Sequence, residues 1–238
     1  MSEATGDAPV VAIAGSAGLL GPYVARRFAA DGATLALADR HQAPAETVAA
    51  DLGLPADRVD ARGVDLLDPD GAREWAAHVQ ARFGRVDALL HLVGGWRGGQ
   101  PIDEAPLEDW ELLHGLLIRT VQNTARAFRR PLMDSGRGRF ALISAKAAAE
   151  PTHTNAFYAA AKAAAEAYTL ALAHSFADAK ATANVVVVNA LVSDEMRAAN
   201  PDKPYTTFTD AADVAAALAY LCSDAAAKMN GRRLILHP

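Results

Sequence analysis

Short runs of hydrophobic residues alternate along this chain with longer stretches in which hydrophobic and polar residues recur every three or four positions. The short runs are almost uniformly apolar, as in VVAIA, DALLHLV and NVVVV. A strand with one face in water would alternate apolar and polar residues, so these runs predict strands that are buried on both faces. Strands separated by helices predict a parallel sheet whose right-handed crossover helices cover both faces.

The same pattern places the individual elements. The predicted strands are Val10–Ala14, Thr34–Ala38, Val59–Val64, Ala88–Val93, Phe140–Ser144, Asn184–Asn189 and Arg233–His237. The predicted helices are Pro22–Asp31, Ala43–Leu52, Pro69–Phe83, Leu107–Met133 (one long helix or a broken one), Ala156–Ala177 and Asp213–Cys222. No repeat or Pro/Ser-rich linker divides them, so residues 9–238 are predicted to form a single α/β domain after a flexible polar tail of residues 1–8.

The first predicted strand ends in a glycine-rich turn, AGSAGLLGPYVARRF, with the spacing G-x-x-G-x-x-G. Glycine allows a tight turn and lets the backbone approach a pyrophosphate, whose charge suits the N-terminus of the helix that follows. Open parallel sheets bind ligands beyond the carboxyl ends of their strands, so this turn is predicted to hold a dinucleotide in a Rossmann-type, doubly wound sheet. The predicted contacts in the turn are Gly15, Ser16, Gly18, Leu19, Leu20 and Gly21.

An acidic residue, Asp39, ends the second strand, eighteen residues after Gly21. A carboxylate at this place accepts hydrogen bonds from the ribose hydroxyls of NAD and repels the 2′-phosphate of NADP. Arg40 follows and is able to pair with such a phosphate, but the glycine turn contains no basic residue. The sequence therefore favours NAD(H) over NADP(H).

The turns after the later strands supply further predicted contacts. Asp65 ends the third strand, where the adenine ring of such a cofactor lies, and the glycines after the fourth strand let the chain pass close to it. Trp96, between those glycines, offers a large flat surface. The predicted cofactor contacts in these turns are Asp65, Leu66, Val93, Gly94, Gly95 and Leu191.

Tyr158 and Lys162 are four residues apart in an alanine-rich segment and therefore share one face of a helix. A phenol is a useful acid or base only if its pKa of about 10 is lowered, and a neighbouring ammonium group lowers it. We therefore expect both residues to be catalytic and to contact the cofactor. The spacing Y-x-x-x-K is common by itself and gains its meaning from the predicted nucleotide fold.

From Val10 to the final strand, the chain resembles the short-chain dehydrogenase/reductase family. The glycine turn, Asp39, Asp65 and the Tyr158/Lys162 pair carry this resemblance. It implies hydride transfer between a nicotinamide cofactor and a small organic substrate, with Tyr158 as the acid/base and Lys162 as its partner. It also implies a homo-oligomer, dimer or tetramer, in which the small-residue face of the Tyr158 helix packs against a second subunit.

Several positions depart from the family pattern. The family usually has N-N-A-G after the fourth strand, where residues 91–94 are HLVG, and a serine thirteen residues before the tyrosine, where this chain has Ala145. The family's helical asparagine would fall near Leu117, and its Pro-Gly after the sixth strand is replaced in residues 189–191. Three of these changes remove polar groups that help to polarise a carbonyl or to relay a proton.

One branch of the family, the dihydropteridine reductases, resembles this chain in those departures. It has a similar glycine turn, a GGW-x-GG loop like Gly94–Gly99 and an A-K-A-A segment like Ala145–Ala148, and it lacks the same serine. The resemblance implies a quinonoid dihydropterin as substrate. Such an electron-poor ring accepts hydride without a hydroxyl to stabilise an oxyanion, which gives a physical reason for the alanine.

The sequence leaves the substrate and two other readings open. Ser144 is a candidate replacement for the missing serine, although strand alternation should point it away from Tyr158. The other candidate substrate contacts are Trp96, Ala145, His153 and Met196, and the polar segment 193–208 is predicted to form a lid. The alternatives are a ketone or alcohol oxidoreductase that uses Ser144 or water, and a cofactor-binding sensor without catalysis. His91, on an apolar strand, is predicted to be a core histidine.

Composition narrows the function classes. The net charge of -5 and the pI near 5.8, with arginines interleaved with acids, argue against a nucleic-acid-binding surface. The N-terminus has no signal-peptide pattern, no apolar run is long enough to span a membrane, and no His/Cys/carboxylate spacing predicts a metal site. A sole cysteine, Cys222, fits a reducing compartment. We therefore expect a cytoplasmic enzyme with a small-molecule substrate.

Overall fold

One helix of the structure has clear start and stop signals at both of its ends. In this helix, Pro69–Phe83, Asp68 accepts hydrogen bonds from the amides of residues 70 and 71, and Pro69 occupies the first turn. At the other end Gly84 adopts a left-handed conformation, with φ of 77°, that ends the helix. These signals lie in the sequence itself, so this helix has the predicted bounds.

The computed structural model describes residues 8–237, and the predicted tail of residues 1–8 lies outside them except for its last residue. The strands are β1 Val10–Ala14, β2 Thr34–Asp39, β3 Val59–Gly63, β4 Ala88–His91, β5 Arg139–Ala145, β6 Thr182–Val188, β7 Ala190–Val192, β8 Phe208–Asp210 and β9 Arg233–Ile235. The helices are α1 Gly21–Ala30, α2 Gln42–Asp51, α3 Pro69–Phe83, α4 Leu107–Leu113, α5 Thr120–Asp134, α6 Ala156–His174, α7 Asp194–Ala199 and α8 Ala211–Cys222.

Seven of the strands form one parallel sheet in the order β3-β2-β1-β4-β5-β6-β9, and β7 and β8 pair separately. The chain runs outward from β1 to β3 and then returns to place β4 on the other side of β1. A crevice for a ligand opens where the direction of travel reverses, beyond the carboxyl ends of β1 and β4. The predicted single α/β domain of Rossmann type, with its doubly wound parallel sheet, is confirmed.

The predicted long helix Leu107–Met133 is broken, as one of the two sequence alternatives allowed. A π-helical turn, His114–Arg119, separates α4 from α5, and the amide of Thr120 donates to the carbonyl of Gly115, five residues earlier. The hydroxyl of Thr120 donates to the Leu116 carbonyl at 2.7 Å. Single π turns inside helices are frequent at functional sites, and this one lies beside the crevice.

The short elements β7, α7 and β8 were not predicted. They contain three, six and three residues, respectively, which is too few to produce a periodic pattern. Their positions depend on contacts with distant parts of the chain. Within residues 8–237, no helix is both long enough and apolar enough to cross a membrane.

The hydrophobic core has one layer on each face of the sheet. On one face α3, α5 and α6 pack against the sheet, and the rings of Trp75 and Phe128 meet edge to face with centroids 4.8 Å apart. On the other face α1 and α8 cover β1, β2 and β5. Both faces of the central strands are therefore buried, as their uniformly apolar sequences predict.

Phe128 gives a direct test of this packing. It is fully buried, so Phe128→Ala should lower the free energy of unfolding by about 3–5 kcal/mol, because it removes apolar contacts and leaves a cavity. Leu107→Ala is the control, since that side chain is 73% exposed and its loss should cost less than about 0.5 kcal/mol. Urea unfolding followed by circular dichroism measures both. Equal losses for the two variants would contradict the assigned core.

Candidate active site

A cavity of about 950 Å³ opens beyond the carboxyl ends of the sheet strands. Most of the residues selected from the sequence line it. These are Gly15, Gly18, Leu19, Leu20, Asp39, Arg40, Asp65, Leu66, Val93, Gly94, Gly95, Trp96, Ser144, Tyr158, Lys162 and Leu191. Five selected residues fall outside this lining, namely Ser16, Gly21, Ala145, His153 and Met196. The turns after different strands therefore converge on one space.

The glycine turn is fastened to the neighbouring strand through its backbone. The amides of Gly15 and Ser16 both donate to the carbonyl of Ala38, at 2.8 and 3.0 Å. Gly15 has φ of +81°, and a Cβ there would come within 2.9 Å of the Val93 amide nitrogen. This position therefore requires glycine, both for its backbone conformation and because the turn that follows β4 approaches it closely.

The other glycines of the turn have two different roles. A Cβ on Gly21 would overlap the Ser16 carbonyl oxygen, so glycine at this position lets α1 start directly against the turn. Gly18 faces the cavity, and a Cβ there would meet its nearest protein atom, the Gly15 carbonyl, at 3.5 Å. Gly94 is similarly open, with its nearest contact at 3.7 Å. The backbone at Gly18 and Gly94 thus leaves room for a ligand, which fits a dinucleotide whose phosphates lie near the start of α1.

Asp39 joins the glycine turn to the cavity. One carboxylate oxygen accepts from the Ala17 amide at 3.1 Å and the other from the Arg40 amide at 2.8 Å. A carboxylate oxygen has two acceptor sites, so each oxygen retains one for a ribose hydroxyl. The Arg40 side chain is exposed at the cavity edge and extends from the same turn.

The turn after β3 is held by a residue that the sequence did not indicate. The amide group of Asn123, on α5, donates to the carbonyls of Leu66 and Leu67 at 2.9 and 3.1 Å. Asp65 accepts from the Leu67 amide at 3.0 Å. Asn123 is buried inside a helix and belongs to no motif, so only the tertiary contact reveals its role.

Lys162 is buried at the base of the cavity, and its ammonium group donates to the Ile143 carbonyl at 2.9 Å. Burial lowers the pKa of Lys162 to about 8, although the charge of Glu166 raises it. The ammonium nitrogen lies 5.9 Å from the centroid of the Tyr158 ring. Burial raises the pKa of Tyr158 to about 12, so the lowered pKa expected from the sequence is wrong for the protein alone. Desolvation of the phenol, which disfavours its charged form, is the cause of this rise.

Ser144 lies on the same face of the sheet as α6. It alternates with Phe140 and Leu142, which belong to the core layer under α3, α5 and α6, and it lines the cavity together with Tyr158. The expectation that it points away from Tyr158 is therefore wrong. Its Oγ is buried without a hydrogen-bond partner among the described residues. A buried hydroxyl without a partner in a ligand-sized cavity is suited to donate to a ligand.

The remaining substrate candidates lie at different places. Ala145 is buried next to Ser144 but points to the opposite face of the sheet, as strand alternation requires. His153 lines a small separate cavity with Arg97 and Asp109. Met196 lies in α7, where its carbonyl accepts from a tyrosine hydroxyl. Of the four candidates, Trp96 is the one that lines the main cavity.

The Trp96 ring is supported by the glycines of its own loop. A Cβ on Gly98 would come within 3.1 Å of the indole, so the bare backbone packs against the ring. The Gly99 amide donates to the Thr154 carbonyl at 2.8 Å, which fixes the loop in place. The indole is 56% exposed, so a large part of its surface is available at the cavity.

His91 is a core histidine, as predicted. Its ring nitrogens lie 3.2 Å from the Thr120 hydroxyl and 3.0 Å from the Thr124 hydroxyl, and it is fully buried. Burial, together with the positive charge of Lys162, lowers the pKa of His91 to about 3, so the ring is neutral. Thr120 also lines the cavity and was not predicted, because nothing in the sequence distinguishes it from other helical threonines.

The predicted lid, residues 193–208, includes the short helix α7. The Tyr23 hydroxyl, on α1, accepts from the Asp194 amide at 2.9 Å and donates to the Glu195 carboxylate at 3.2 Å. Thr207, within this segment, and Asn189, just before it, both line the cavity, and the Asn189 side-chain amide donates to the Thr207 carbonyl at 3.1 Å. The Tyr23 contacts join the segment to the helix that follows the glycine turn.

Lys162 supplies a test of the electrostatics of the site. The pKa of Lys162 in the folded protein is about 8, below the ordinary 10.5. Below pH 8 the side chain is therefore protonated in both the folded and the unfolded state. The folded state then bears the cost of burying its charge. Lys162→Met should therefore raise the free energy of unfolding at pH 7 by about 1–3 kcal/mol. The greater stability of Lys162→Met over the wild type should shrink as pH rises from 8 to 10.5, because Lys162 loses its proton in the folded wild type before it does in the unfolded chain.

Urea unfolding at pH 7 and pH 9.5 measures this difference. Lys180→Met is the matched control, because Lys180 is exposed and its removal should give no comparable pH dependence. A Lys162→Met variant that is less stable than the wild type at pH 7 would show that the hydrogen bond to Ile143 outweighs the desolvation cost.

Known proteins resemble the chain over almost its whole length. A family model described as enoyl-(acyl carrier protein) reductase matches residues 15–237. D-threitol dehydrogenase of Mycolicibacterium smegmatis is 27% identical, over 97% of this chain and 92% of that protein. Meso-2,3-butanediol dehydrogenase of Serratia marcescens is 29% identical, over 96% of this chain and 92% of that protein.

Among solved structures, a short-chain dehydrogenase/reductase described as a glucose/ribitol dehydrogenase, from Brucella melitensis, superposes with a TM-score of 0.82. It is 26% identical, and the alignment covers 95% of this chain and 94% of that one. The family match spans far more than half of the chain, and the relatives agree with it in length and fold. The chain belongs to the short-chain dehydrogenase/reductase family.

Proposed function

We propose that this protein is an NAD(H)-dependent oxidoreductase that reduces a small cyclic organic substrate, with Tyr158 as the proton donor and Lys162 as its partner. The observation that carries the proposal is that one cavity is lined by Asp39 and the glycine turn at one end and by Tyr158 and Lys162 at the other. A dinucleotide held at the first end would supply hydride at the second.

The two titrating groups suit reduction near neutral pH. The phenol of Tyr158, with a pKa of about 12, keeps its proton until a substrate accepts it. Lys162, with a pKa of about 8, is mainly an ammonium at pH 7 and lies close enough to stabilise the phenolate that forms. In the oxidative direction Tyr158 must first lose its proton, which its burial opposes. The pair therefore favours proton donation over proton removal.

For the substrate, we propose a flat, electron-poor conjugated ring of the quinonoid dihydropterin type. The local resemblance to dihydropteridine reductases in Gly94–Gly99 and Ala145–Ala148 supports this choice. The exposed indole of Trp96, supported by glycine backbone, offers a stacking surface for such a ring.

A ketone or alcohol substrate is the second candidate, and Ser144 is the observation that favours it. Its buried Oγ lines the cavity beside Tyr158 and has no partner among the described residues, so it is able to donate to a carbonyl oxygen. The names of the relatives also favour this chemistry, since they refer to D-threitol and meso-2,3-butanediol.

The substrate class is tested by NADH oxidation against quinonoid dihydropterin, quinones and cyclic ketones. We expect the highest kcat/KM with the dihydropterin, and Tyr158→Phe should lower kcat by about 10²–10⁴-fold because it removes the proton donor. Turnover of ketones alone would overturn the pterin assignment. NADH binding without turnover of any acceptor would favour a sensor, and unchanged turnover by Tyr158→Phe would remove Tyr158 from catalysis.

Ser144→Ala separates the two substrate classes. If the substrate is a conjugated ring, this variant should retain most of its activity, whereas ketone reduction should fall by about 10-fold or more because the oxyanion loses a hydrogen bond. Thr207→Ser is a suitable control at the cavity edge, since it keeps a hydroxyl and the backbone carbonyl that Asn189 uses.

Asp39 provides the test of the cofactor. The wild type should bind NADH more tightly than NADPH, and Asp39→Ala should reduce that preference by at least about 10-fold, because the carboxylate no longer accepts from the ribose or repels a phosphate. Quenching of protein fluorescence by each cofactor measures the two dissociation constants. Tighter binding of NADPH than NADH by the wild type would contradict the assignment and would point to Arg40 as the dominant residue.

A further inference from the structure

The catalytic pair belongs to a longer row on α6. Tyr158, Lys162 and Glu166 follow one another at intervals of four residues, so they lie along one face of the helix. Glu166 is 7% exposed, which is unusual for a carboxylate. A buried carboxylate one turn from a buried ammonium needs an explanation, because removing either charge from water is costly.

Glu166 is fixed by a residue at the edge of the sheet. Arg233, on β9, places its Nε 2.8 Å from one carboxylate oxygen, and its terminal nitrogen donates to the other oxygen at 3.4 Å. This pairing of one guanidinium with both oxygens orients the carboxylate. Lys162 instead donates to the Ile143 carbonyl, so Glu166 acts on Lys162 through its charge and not through a direct hydrogen bond.

We propose that Glu166 is a positioning residue that keeps Lys162 in its ammonium form at neutral pH. The inference rests on the proposed function only in treating Lys162 as the partner of Tyr158. The groups that face Lys162 from the packed elements are neutral His91 from β4, the Ile143 carbonyl from β5, and Tyr158 and Glu166 from its own helix. Among these described neighbours, Glu166 is the one that carries a negative charge.

The sign of the effect follows from the charges. Burial lowers the pKa of Lys162 to about 8, and Glu166 works against this shift. At a pKa of about 8 the side chain is roughly 90% protonated at pH 7. Without Glu166 the pKa of Lys162 should fall further, and a larger fraction of the side chain would be neutral amine at pH 7. Arg233 carries the opposite charge to Glu166, so its removal should not lower the pKa of Lys162.

The test uses two variants that break the same ion pair. Trace acetylation of the full-length protein with acetic anhydride, read by peptide mass spectrometry as a function of pH, reports the titration of Lys162. Glu166→Gln should move that titration down by about 0.5–1 pH unit and Arg233→Gln should leave it unchanged or move it up. A merely structural ion pair would move it in the same direction in both variants, and that result would overturn the inference.

Activity gives a second readout. In the reductive direction, Glu166→Gln should move the alkaline limb of the kcat/KM profile to lower pH, and Glu166→Asp should restore part of the shift. An unchanged alkaline limb and an unchanged Lys162 titration in Glu166→Gln would refute the role of Glu166.

If the wild type turns over none of the acceptors, the proposed function fails, whereas the acetylation experiment still decides the inference. Should Glu166→Gln fail to fold, a downward shift of the Lys162 titration in Glu166→Asp, with none in Arg233→Gln, supports the inference. No downward shift in Glu166→Asp, or a downward shift in Arg233→Gln, overturns it.

Discussion

The burial of the Lys162 ammonium group is the constraint on which the site depends. A charge in this environment is tolerated only if it has a partner, and the Ile143 carbonyl near the end of β5 supplies one at 2.9 Å. This hydrogen bond fixes α6 against the carboxyl end of the sheet. Ala165, which is buried in the core layer on this face of the sheet, lets the helix lie close enough to form it. The position of Tyr158 at the cavity then follows from helical geometry, because it lies one turn away.

The two ends of the cavity are built in different ways. The cofactor end consists mainly of backbone, and its glycines are needed because Gly15 approaches Val93 closely while Gly18 leaves open space. The other end consists of side chains whose protonation is set by burial. In the proposed function, the backbone cradle holds the dinucleotide in a fixed place, and the buried titrating groups transfer the proton. Their common cavity is what makes hydride and proton transfer to one substrate geometrically reasonable.

Ser144 and Ala145, neighbours on β5, show how a sequence motif can mislead. Counting thirteen residues back from the tyrosine identifies Ala145 and suggests that a hydroxyl is missing. The structure places Ala145 on the opposite face of the sheet and Ser144 in the cavity, with its Oγ free of partners within residues 8–237. A hydroxyl is available to a substrate only if it lies on the face of β5 that α6 covers. The spacing between residues does not predict which face that is.

The sequence by itself determined the parallel α/β sheet, the helix with clear caps at both ends, the glycine turn and the spacing of Tyr158 and Lys162. These features depend on local conformational preferences and on periodic burial, both of which are written in neighbouring residues. Only the tertiary structure decided the π turn before α5, the short helix α7, the orientation of Ser144, and the roles of Asn123 and Glu166. Each of these depends on a partner far away in the chain, and so does the raised pKa of Tyr158, because desolvation is a property of the packed site.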